Sequence, residues 1–167
     1  LDRHGLGVWA ISNHLAGQAV CDDPIDFRHR AIVRPYVWGD GDGEGVRQRA
    51  ADDMKRAARV ARKLGVDTVV GFTGSRIWPY VAMFPPVPQS VTDDGYAAFA
   101  RRWPPIPHVF AGPGARLPPE VHPSDIPSAY SPPVPAPDAL AHRSAPGLNW
   151  APRPPLSPTP DPLASPR

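Results

Sequence analysis

The sequence has little of several things that define common protein classes. A single cysteine in 167 residues, Cys21, excludes an internal disulfide framework and fits a reducing compartment, so a cytoplasmic location is expected. No apolar run approaches the ~20 residues needed to cross a bilayer, so no membrane partner is expected. The opening segment LDRHGLGVWAISNH lacks the basic, then apolar, then small-residue order of a secretory signal. Charge of one sign is scarce as well. The formal net charge is +2 and the arginines are dispersed, with no dense basic block, which argues against a nucleic-acid partner.

Proline is the residue in excess. Six of the 26 prolines precede Trp103 and the other twenty follow it. Each interior proline removes a backbone donor and costs a helix ~3 kcal/mol, so long helices are not expected in the second part. The chain therefore divides into two regimes, residues 1–111 and 112–167.

In the first regime, LGVWAIS at 6–12 is apolar and strand-like and ends in the polar cluster Ser12-Asn13-His14. A long loop from Cys21 to Gly45 follows, rich in Asp, Gly and aromatics. The clearest helix then runs from about Glu44 to Leu64. Its apolar positions Val46, Ala50, Met54, Ala57, Ala58, Ala61 and Leu64 follow the 3.6-residue period. Asp42 or Gly43 suits its start and Gly65 its C′ position. Arg47, Arg49, Asp53, Arg56, Arg59 and Lys63 read as its solvated face. A second β-branched run, VDTVVG at 66–71, ends in Gly71-Phe72-Thr73-Gly74-Ser75. Thr92-Asp93-Asp94 then suits the cap of a helix over 95–103, which Pro104, Pro105 and Pro107 are expected to stop. Strand, helix, strand, helix with short connections implies parallel strands and right-handed crossovers.

The second regime keeps a faint version of this rhythm. Ala115-Arg116-Leu117 leads to Glu120-Val121-His122, and Pro146-Gly147-Leu148 leads to Asn149-Trp150. Polar residues thus follow strand-like runs at His14, Thr73, Glu120 with His122, and Asn149. In a parallel α/β barrel all strand C-termini open on one face, and that face carries the chemistry. Glu120 is the strongest single candidate, because a strand-end carboxylate two residues from an imidazole suits a base or a metal ligand. His14 alone also fits a hydrogen-bonded structural role. The Gly71–Ser75 turn lacks P-loop spacing and also fits plain turn chemistry. His14, Trp38 and Trp78 suit the walls of a polyol pocket and equally suit packing.

The blocks ISNHLAGQAVCD, PYVWGDG, EGVRQRAA and GFTGSRIW resemble bacterial sugar phosphate isomerases and epimerases of the xylose-isomerase-like barrel superfamily. The likeness covers nearly all of residues 1–110 and continues more faintly through EVHPSDI and GLNWAPRP. It implies an α/β fold: a partial (β/α)8 TIM barrel, roughly strands 3 to 6, with a proline-rich irregular C-terminal tail. It implies a small-molecule sugar or sugar phosphate as partner, and proton transfer next to its carbonyl assisted by Mn or Mg. Glu120 and His14 would be catalytic, and Asn13, Thr73, Trp78, His122 and Asn149 would contact substrate. Glu120 matches the first metal ligand of the family. Ala151 stands where the family has its second, an Asp, and Pro154 where it has a substrate-contacting His. The remaining ligands would lie beyond Arg167. The chain alone is therefore expected to bind no metal there and to be inactive, and its open sheet edges to favour self-association.

Two other readings carry different expectations. Pro152-Arg153-Pro154-Pro155 and Pro155-Leu156-Ser157-Pro158 fit the loose PxxP pattern read by SH3 and WW domains. An endonuclease-like phosphodiesterase of the same superfamily would need more His and carboxylate ligands and a basic groove.

Overall fold

The computed structural model of the chain describes residues 1–80, 84–111, 115–120, 122 and 125. Six helices, α1 (His14–Cys21), α2 (Phe27–Ile32), α3 (Pro35–Trp38), α4 (Gly43–Lys63), α5 (Gln89–Arg102) and α6 (Pro105–Ala111), surround two short strands, β1 (Ile11–Ser12) and β2 (Val69–Val70). The strands are parallel, with Ile11 opposite Val69 and Ser12 opposite Val70. Isolated parallel bridges join Thr68 to Arg116 and Gly71 to Pro119, which places the 116–120 segment on the far side of β2.

This corrects the expected fold class. The described residues are mostly helical, and they do not form strands 3 to 6 of a (β/α)8 barrel. A strand is held by its neighbours' backbone groups. Among the described residues β1 pairs only with β2, through Ile11 N–H to Thr68 O at 3.0 Å and Asn13 N–H to Val70 O at 2.9 Å. Residues 6–10 join no ladder among the described residues, despite their strand-like composition, and Trp9 is exposed.

Helix α4 organises the core. Asp42 caps it by accepting from Gly45 N–H at 2.7 Å, and Gly65 beyond its end takes a left-handed φ of 67°. Val46, Ala50, Met54, Ala58 and Ala61 are all fully buried, and α1 packs along them with Ala16, Ala19 and Val20. Leu64, the expected last residue of the stripe, is exposed instead. The charged face is only partly solvated. Asp53 is buried, Arg47 reaches Asp22 O at 3.0 Å, and Arg49 donates to Val37 O at 2.9 Å and Trp38 O at 2.8 Å. Those two carbonyls lie at the C-terminal end of α3, where acceptors lack intrahelical donors, and Gly41 N–H also serves Trp38 O at 3.0 Å.

The expected loop between residues 21 and 45 contains α2 and α3. Asp26 and His29 close a reciprocal capping box on α2, and Pro35 occupies the first turn of α3. The prolines after Trp103 do not end helical structure either. Pro105 and Pro107 lie in the first turn of α6, whose amides have no intrahelical acceptor to lose. Ile106 and Phe110 project from it into the core. Thr92-Asp93-Asp94 lies inside α5 and does not cap it. Arg102 at the end of α5 grips Glu44 at the start of α4 with two bonds, 3.0 and 2.8 Å long, which pulls the Glu44 carboxyl down to about 2.

Candidate functional site

Three polar networks lie where β1, β2 and the 116–120 segment end. The first joins Ser12, His14 and Glu120. His14 opens α1, and its Nε2 lies 3.1 Å from Glu120 Oε2. An ionised carboxylate only accepts, so Nε2 carries the proton and Nδ1 presents its lone pair. Ser12 Oγ lies 2.5 Å from that Nδ1 and donates to it. The His14 ring meets the edge of Phe72 at 4.5 Å, and His122 stacks at a tilt on the same Phe72 at 4.8 Å.

Two close approaches set the position of α1. A Cβ on Gly17 would lie 2.1 Å from Phe72 O, and one on Gly74 would lie 2.0 Å from Gln18 O. Only glycine permits the helix to lie this flat on the turn after β2, and Gly74 also has a left-handed φ of 65°. The register of His14 against Phe72 and Glu120 follows from that contact.

The second network surrounds Asp53. Asn13 Nδ2 donates to its Oδ2 at 3.2 Å, Arg34 Nη1 donates to the same oxygen at 2.7 Å, and the Tyr36 hydroxyl donates to its Oδ1. A cleft of about 160 Å³ lies between these two networks, lined by Ser12, Asn13, His14, Arg34 and Asp53 and by apolar Leu15, Ile32, Val33 and Val37. Asn13 is the N-cap residue of α1, yet its side chain serves Asp53 and makes no cap bond. The first-turn amides of α1 thus lie at the cleft wall without a cap from that residue.

The third network is buried behind α1. Asp22 accepts from Gln18 Nε2, from Ser75 N–H at 2.7 Å and from His29 Nε2 at 2.9 Å. His29 Nδ1 accepts from Asp26 N–H at 3.1 Å, which fixes the tautomer that donates to Asp22. Asp125 lies nearby. Burial, reinforced by the Asp22 charge, pushes its carboxyl up to about 8. Burial likewise pushes the Cys21 thiol up to about 12, which makes it inert as a nucleophile.

The residues expected at the site are only partly gathered. Asn13 and His14 line the cleft; Glu120 and His122 do not, but Glu120 pairs with His14 and His122 shares the Phe72 ring with it. Thr73 is buried away from the cleft. Its hydroxyl donates to Gly74 O, and its own carbonyl accepts from Trp103 Nε1 at 2.9 Å. Trp78 packs against His29 and beneath the Arg28 guanidinium, 4.1 Å from the ring centroid, and does not line the cleft. Asn149 and Ala151 lie outside the described residues. Sequence reasoning missed Asp53, Arg34, Tyr36 and the partnership of Ser12 with His14. Asp53 had a signal: it lies three residues after Ala50 and seven after Val46, in phase with the buried stripe.

A divalent metal of the expected kind does not fit these residues. Glu120 faces an imidazole, and among the described residues no three His, Cys, Asp or Glu side chains converge as a metal shell. Among the described residues no helix is long and apolar enough to cross a membrane. No family profile and no curated protein matches the chain.

Proposed function

We propose that the chain carries proton-transfer chemistry of the sugar isomerase and epimerase type, acting on a sugar or sugar phosphate at the cleft beside α1. The observation that carries this reading is the 3.1 Å contact between His14 and Glu120, which joins residues 106 positions apart into one acid–base pair. His14, at the cleft with its ring held edge-on by Phe72, takes the proton from the carbon next to the substrate carbonyl, and Glu120 behind it completes the acid–base pair by holding the imidazolium so formed. Asn13 and Arg34 supply donors to hydroxyl or phosphate oxygens at the cleft wall. The resemblance of residues 1–110 supports the same substrate class.

The full reaction also needs stabilisation of the developing enediolate charge, which the described residues do not collect in one place. The chain alone therefore binds sugar without completing turnover. Titration of the chain with pentose and hexose phosphates, followed by NMR of the His14 ring, tests this. A saturable shift of the His14 resonances, lost in Asn13→Ala, is the expected result. An unchanged spectrum at saturating sugar overturns the substrate class, and Mn-dependent turnover by the chain alone overturns the incomplete charge-stabilising shell.

A further inference from the structure

The hydrogen-bonded series Ser12–His14–Glu120 has the connectivity of a nucleophile, a base and a carboxylate that orients the base. Ser12 is exposed at the end of a parallel strand, and a helix begins two residues later. That strand–turn–helix setting presents the hydroxyl to the cleft while the first-turn amides of α1 flank it. The apolar wall of Ile32, Val33 and Val37 beside Ser12 suits a short acyl group, and about 160 Å³ limits its size.

We propose that Ser12 is a nucleophile for short-chain carboxylic esters, with His14 as its base. Ser12 Oγ attacks the ester carbonyl carbon as its proton passes to His14 Nδ1. The imidazolium so formed is held by the Glu120 carboxylate at Nε2. The tetrahedral species collapses, the carbon–alkoxy bond breaks, and the leaving alcohol takes the proton from Nδ1. Water then attacks the acyl-Ser12 carbonyl, gives its proton to the same nitrogen, and the carboxylic acid departs as Ser12 recovers its proton. The tetrahedral oxyanion lies toward the amides of the first turn of α1, which Asn13 does not cap. Glu120 acts only through His14 and is a positioning residue. The proposal is independent of the sugar reading, since it uses Ser12 and needs no sugar to bind.

The test treats the full chain with a small fluorophosphonate and, separately, with p-nitrophenyl acetate. A single phosphonyl adduct mapping to Ser12 and a burst of nitrophenol are expected. Both vanish in Ser12→Ala, an exposed position whose loss leaves the circular dichroism spectrum unchanged. His14→Asn slows labelling about 100-fold, the scale of a lost general base. Glu120→Gln slows the labelling of Ser12 and moves its pH profile, which a merely structural role would leave in place. Ser12→Cys gives a second readout: its alkylation by iodoacetamide slows at least ~10-fold when His14→Asn is added. No adduct, an adduct at another residue, or labelling of Ser12 that is indifferent to His14 overturns the proposal.

Discussion

Asp125 offers a sharp test of how the interior behind α1 is built. Its carboxyl is 2% exposed, receives Thr73 N–H at 3.4 Å, and shares the interior with the Asp22 carboxylate. Burial and that like charge raise it from an ordinary 3.8 to about 8. The sign follows from linkage. The folded chain keeps this proton to higher pH than the unfolded chain does, so the contribution is complete below the unfolded value and is lost as pH rises toward the folded one. Across the whole window the loss is on the order of 5 kcal/mol, about 1.4 kcal/mol for each pH unit. Asp125→Asn removes the titration while an amide keeps the shape and the acceptor for Thr73 N–H. Urea denaturation of both proteins at about pH 5 and about pH 8 measures the effect. The variant should gain ~4 kcal/mol on the parent between those values, in addition to the ~1.6 kcal/mol that the parent has already lost by the lower one. A stability difference that does not change with pH would refute the burial of the Asp125 carboxyl beside Asp22.

Other substitutions probe other parts of the account. Gly17→Ala brings a methyl to 2.1 Å from Phe72 O, so α1 must lift by about 1 Å; a loss of ~3 kcal/mol in denaturation and displaced His14 resonances are expected. Met54→Ala empties a fully buried position on α4 and should cost ~2–5 kcal/mol by the same measurement. Asp53→Ala leaves Asn13, Arg34 and Tyr36 without their common acceptor; a loss of ~1–3 kcal/mol and weaker sugar binding at the cleft are the expected outcomes.

Helix α4 was legible because its start, period and stop agree. Asp42, the stripe from Val46 to Ala61 and Gly65 all point to one helix, observed over Gly43–Lys63. Its limit was the assumption that charge means solvent. Asp53 lies in phase with the apolar stripe and is buried because Asn13, Arg34 and Tyr36 converge on it. The strands were legible only as pairing-competent runs. Whether Leu6–Ala10 joins a ladder depends on a neighbour, which local composition does not encode. The prolines misled for a positional reason: Pro105 and Pro107 occupy a first turn, where a missing amide costs little. At the site, strand-end logic singled out His14 and Glu120, which meet across the end of β2. It failed for Thr73, because Trp103 and the Asp125 cluster draw that turn into the interior.

The central claim is that His14 and Glu120 act as one unit. A double-mutant cycle on His14→Ala and Glu120→Ala, read by urea denaturation near neutral pH, isolates their coupling from the other contacts of each side chain. The 3.1 Å bond between two largely buried side chains predicts a coupling of ~1–2 kcal/mol. Additivity within ~0.3 kcal/mol would contradict it.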